Sequence, residues 1–171
     1  MDGWTLRLTA AAVLTLCGAA AGRSPAAGRR RRVVQLRLLT AALQRLEVQM
    51  LEKLLPLKEA LAASAHPALG AVGEGMTGAR GALLSWLGAA DALRARGGEL
   101  SALCGEDVAA LDRLFDGLGT SGASEQRILL EGVQEELKRL AQAARKTADE
   151  HAKLYTSLGL IAGLALSICL L

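Results

Sequence analysis

From Ala123 to Leu171 the chain contains no proline, and glycine only at Gly132, Gly159 and Gly163. Nothing in that stretch ends a helix. Leu130, Val133, Leu137, Leu140 and Ala144 recur at intervals of 3, 4, 3 and 4, the stripe of a long packed helix. The spacing predicts one continuous rod of about 48 residues, ~70 Å long. Such a rod cannot cover its own apolar stripe, so the rest of the chain must supply helices that pack on it.

Composition points the same way. Apolar residues make up 51% of the chain but aromatics only 2% (Trp4, Trp86, Phe115 and Tyr155), so alanine and leucine must build the core. Both are strong helix formers, and alanine-studded helices approach closely. The β-branched and aromatic residues that suit a pleated surface are too scarce for a sheet. The fold class is all-α.

The two ends carry a second constraint. Leu154 to Leu171 is 18 residues without a charged side chain. As a helix it spans roughly 27 Å, against the ~30 Å of a bilayer core. Lys153 and Tyr155 sit where a snorkelling cation and an interfacial aromatic belong. Gly159 and Gly163 form G-x-x-x-G, and Ser157 and Ala162 keep the adjacent surface small, which predicts a packing face for another membrane helix.

At the other end, Trp4 to Gly22 is apolar except for Arg7, which is close enough to the end to snorkel. Residues 23–37 then hold six arginines and no acid, with Arg29, Arg30, Arg31 and Arg32 as a collar. Arginine collects on the cytoplasmic side and is attracted to anionic lipid. The expected organisation is a transmembrane helix over 1–22, a cytoplasmic helical bundle over 23–153, and a second transmembrane helix over 154–171, the last helix running unbroken into the membrane. The alternative is an exported helical protein, with a signal peptide cleaved near Ala19–Ala21 and a C-terminal membrane anchor.

Within the body, residues 38–153 hold thirteen Lys or Arg against sixteen Asp or Glu. No basic stripe is interleaved with aromatics, so a nucleic-acid partner is not expected. Cys17, Cys104 and Cys169 are far apart, and His66 and His151 have no ligand-like neighbours. Neither a disulfide framework nor a metal site is indicated, and no cofactor or small-molecule substrate is expected. Both histidines are expected at the surface or at helix ends. The carboxylates Glu106, Asp107, Asp112 and Asp116 read as the solvated face of an amphipathic helix, without the positioned base that acid–base catalysis needs. The chain is not expected to be an enzyme.

Shorter helices fill the body. Leu36, Leu39, Leu43, Leu46, Met50 and Leu54 predict one helix over residues 33–53, closed by Pro56. A short helix to about residue 65 follows, and Pro67 marks the next break. Glycines at 70, 73, 75, 78 and 81 suggest a loosely helical or turning connection. A helix over 82–95 carries Trp86 as the large core anchor, and Gly97–Gly98 stop it. Another over 105–118 turns Val108, Leu111, Leu114, Phe115 and Leu118 inward, with Glu106 and Asp107 at its electropositive end. Ser121 is the expected N-cap of the last helix.

Three stretches carry a resemblance. "VQLRLLTAALQRLEVQM…PL" holds a Gln-x-Arg-x-Leu-x-x-Ala-Leu-Gln-x-Leu-Glu run, with Gln35, Arg37, Gln44 and Glu47 among the matching positions. "LDRLFDGLGTSGASEQ" holds a Leu-Gly turn at Gly119 followed by Gln126, and "SLGLIAGL" lies in the tail. In these the chain resembles the stage III sporulation protein AB family. It departs at Gly122, where the family usually has an acid, at Gln49–Met50, in the "LEKLLPL" loop and in its heavier arginine collar.

The resemblance implies a body similar to the helical cytoplasmic domain of the type II secretion inner-membrane platform protein. It also implies a place in the channel complex between mother cell and forespore, on the mother-cell side of the forespore outer membrane. Expected partners are a secretion-type ATPase, stage III sporulation protein AA, and other membrane subunits of the complex. Gln35, Arg37, Gln44, Glu47, Gly119 and Gln126 are then the candidates for partner docking.

Overall fold

A computed structural model describes residues 24–77 and 81–170. Every regular element among them is a helix. Helix α1 (Ser24–Glu47) runs into a π-helical turn (Val48–Glu52); α2 (Leu57–Ala63), α3 (Pro67–Gly75), α4 (Ala82–Arg94), α5 (Gly105–Gly117) and α6 (Ala123–Leu170) follow. Helix α6 has 48 residues, the unbroken rod that its sequence predicts.

Two compact units share these helices. One comprises residues 32–143; the other takes in the described residues up to Arg31 and from Ala144 onward. In the first unit, Leu36, Leu39, Leu43 and Leu46 of α1 are fully buried, as are Leu111 and Leu114 of α5 and Leu130 and Leu137 of α6. The shorter helices pack in sequence, α2 on α3, α3 on α4 and α4 on α5. Trp86 anchors α4 by stacking on Phe115 of α5, with ring centroids 4.8 Å apart, and its indole N–H donates to Asp112 Oδ1 at 2.6 Å.

Three expectations change. The α1 stripe stops at Leu46, for Met50 is only half-buried and Leu54 is 79% exposed. The π turn is the reason: an i→i+5 bond inserts one residue and rotates everything beyond it out of the stripe. Leu54 then takes a left-handed conformation (φ 53°), which costs roughly 1 kcal/mol in a residue with a Cβ. The glycine-rich connection is also helical over its first part. Pro67 starts α3, His66 Nδ1 accepts from the Ala68 N–H, and a Cβ on Gly73 would stand 3.1 Å from Leu61 and the Lys58 carbonyl, so glycine is what lets α3 close on α2. His66 is thus a helix-end residue, but a buried one.

The acidic face of α5 is the third correction. Asp107 is fully buried: it accepts two bonds from Arg32, both 2.8 Å, and one from the Cys104 N–H at 2.9 Å, closing the first turn as a capping box. Asp112 is spent on Trp86. Only Glu106 and Asp116 face solvent.

Among the described residues no helix is both long and apolar enough to cross a membrane. The first apolar run, residues 1–22, lies outside the described residues. Of the tail's side chains from His151 onward, only Leu154, Ser157 and Ile161 are described. Both membrane segments rest on the sequence.

Two buried titratable groups make stability pH-dependent. Burial pushes the Asp107 carboxyl up, but the Arg32 guanidinium and the Cys104 N–H more than offset it and hold it below the usual carboxylate range. Its contribution is present above its ordinary value near 3.8 and is lost as pH falls below it. Burial holds the His66 imidazole below its ordinary 6.5 against a smaller opposing pull from Glu99, so it favours folding above pH 6.5 and less as pH falls further. Urea midpoints should therefore decline in two stages on acidification. Asp107→Asn should remove the lower stage and His66→Asn, which keeps a capping side chain, the upper. A wild-type midpoint flat from pH 7 to 4 would contradict this.

Candidate docking face

The six docking candidates separate into two groups. Gln35 Oε1 accepts from the Ala102 N–H at 3.0 Å, tying α1 to the loop before α5. Glu47 Oε2 accepts from Gln134 Nε2 at 2.9 Å, tying the end of α1 to α6. Gln126 is buried and closes the α5–α6 turn. Its amide nitrogen donates to the Gly117 carbonyl (2.8 Å) and to Ser121 Oγ (2.9 Å), and its oxygen accepts from the Gly119 N–H (3.1 Å). Gly119 is held at φ +79°, where only glycine sits without strain. Ser121 therefore serves Gln126. These four residues hold the bundle together.

Arg37 and Gln44 are different. Both are exposed, and neither makes a hydrogen bond or ion pair among the described residues. They lie along one side of an outward stripe on α1 formed by Val34, Leu38, Ala41, Arg45 and Val48, which at 100° per residue fall within about 80° of one another. Val34 and Leu38 are each 55% exposed and Val48 38%. An apolar stripe of four turns left open to solvent on an otherwise packed helix is the mark of a surface meant to be covered. The exposed, strained Leu54 follows directly on the π turn at its far end.

Of the arginine collar, Arg30 and Arg31 are exposed, whereas Arg32 is engaged by Asp107 and Arg29 is half-buried. The exposed part of the collar is thus Arg30 and Arg31. Other exposed apolar side chains among the described residues are Leu84 and Leu87 on α4 and Ile128, Leu154 and Ile161 on α6. The proposed tail face, Ser157, Gly159, Ala162 and Gly163, lies in α6; of its side chains only that of Ser157 is described, and it is exposed. Among the described residues no group of His, Cys, Asp and Glu could hold a metal ion.

Sequence reasoning passed over the α1 face because its helical periodicity tracks the buried stripe, and the outward residues register only as what remains. Substitution separates the two groups. Gln126→Ala removes three part-buried bonds that close the turn, so it should cost about 1–2 kcal/mol. Arg37→Ala should change the urea midpoint by an amount near zero. Equal losses in the two variants would contradict this division.

Comparison with curated proteins and with solved structures yields no match. The family described as stage III sporulation protein AB matches residues 7–171. The match covers nearly the whole chain, including Gly119 and Gln126 of the α5–α6 turn and the exposed face of α1. This chain belongs to the stage III sporulation protein AB family.

Proposed function

We propose that the chain is a non-enzymatic platform subunit of the channel complex joining mother cell and forespore. Both apolar ends lie in the membrane, the helical body lies in the cytoplasm on the mother-cell side, and this body docks a secretion-type ATPase of the stage III sporulation protein AA kind. The family match over residues 7–171 carries the proposal, since it ties the chain to sporulation. Three features support the finer reading. The described body is wholly helical, as in the type II secretion platform domain that the family resembles. Arginines concentrate next to one apolar end, and Lys153 flanks the other, a distribution that supports a body on the cytoplasmic side. The part-buried polar side chains Arg32, Asp107, Gln35, Glu47 and Gln134 are engaged in hydrogen bonds that tie helices together, which supports a role in holding shape and presenting surfaces.

Recruitment tests this. Co-produced with the full chain, the ATPase should sediment with membranes and co-purify in mild detergent. Without the chain it should stay in the soluble fraction. An ATPase distribution that ignores the chain would contradict the platform reading.

A further inference from the structure

The outward stripe of α1 has a composition that specifies what covers it. Val34, Leu38 and Val48 supply apolar surface over about 21 Å, a length of four helical turns. Arg45 lies inside the stripe and Arg37 at its edge, about 12 Å apart along the axis. Neither guanidinium has a partner among the described residues, although carboxylates are plentiful on α5 and α6, where Arg113 pairs with Glu136 and Lys138 with Glu135. Covering the apolar side chains would also withdraw Arg45 from water, which is favourable only if the covering surface brings a carboxylate to it. Apolar residues interleaved with two cations at helical spacing therefore call for a helix with the complementary pattern.

A second feature marks the same place. The stripe runs to a π turn, a device found often at functional sites, and to Leu54, which is 79% exposed and held at φ 53°. An exposed leucine in the left-handed region does nothing for the packing of this bundle. Two residues beyond the π turn, it leaves an exposed apolar side chain past the end of the stripe.

From this juxtaposition we infer that the outer face of α1 is a docking face for an amphipathic helix of a partner subunit, one bearing carboxylates about two turns apart. The inference rests on the platform reading, and it names the surface and the chemistry of the contact. An anionic membrane surface is the competing occupant, since basic amphipathic helices also bind lipid. The distribution of charge disfavours it. The dense arginines sit at the start of α1, whereas the apolar exposures continue to Val48 and Leu54, where the exposed Glu52 and Lys53 offset each other.

The test uses the full chain in detergent with the stage III sporulation protein AA-type ATPase as probe, and two double variants. Arg37→Glu/Arg45→Glu reverses the charges; Val34→Ser/Leu38→Ser keeps them and removes the apolar surface. Each should lower ATPase capture at least tenfold while leaving the thermal midpoint within a few degrees of wild type, since all four side chains are exposed. Wild-type capture should weaken with added salt. If the wild type captures the ATPase and both variants do so equally well, the α1 face is not the docking surface, and the platform reading stands without it. If the wild type captures nothing, the platform reading fails and this inference with it. If the charge variant keeps the ATPase but no longer binds phosphatidylglycerol vesicles, the face belongs to lipid and the inference is overturned.

Discussion

The ion pair between Arg32 and Asp107 fixes how the first and fifth helices meet. Asp107 is fully buried at the start of α5, where the helix dipole favours a negative charge, and it receives three hydrogen bonds. Arg32 brings α1 to that point across a sequence separation of 75 residues. A core built from leucine and alanine stripes is stable but permissive, because one leucine substitutes for another when a helix slides by a turn. A buried carboxylate does not tolerate such a slip, for it would lose its guanidinium. Gln35 on Ala102 and Gln134 on Glu47 repeat the constraint farther along α1. Leucine supplies the cohesion; these polar ties set the register.

Much of this architecture was legible in the sequence. The intervals along α1 and α6 placed Leu36 to Leu46 and Leu130 to Leu140 in the core, and the absence of breakers after Ala123 set the length of α6. Trp86 and Phe115 were identified as core residues, although their stacking was not. What could not be read were the long-range pairings. Asp107 and Asp112 look like ordinary acids of an exposed helix face. Only the approach of Arg32 and Trp86, far away in sequence, shows that Asp107 is interior and Asp112 half-buried and engaged. The π turn was also invisible, because its sequence, Val48–Glu52, contains no proline or glycine to announce it.

The same limit shaped the reading of the site. A shared family pattern does not separate residues that hold a fold from residues that meet a partner. In the structure Gln35, Glu47, Gly119 and Gln126 hold the fold, and Arg37 and Gln44 face outward. The two roles are linked. Inward ties along α1 keep that helix straight and fixed in rotation, so its outer stripe is presented as one surface.

The claim that polar register, and not leucine packing alone, fixes α1 is tested most directly by a double-mutant cycle on Arg32→Met and Asp107→Leu, read by urea unfolding. Each single change should be strongly destabilising, because it strands the other charge. The double change should recover much of the loss, with a coupling of about 2 kcal/mol. Additive single effects would contradict the account, for they would mean that the pair contributes nothing to how α1 is held.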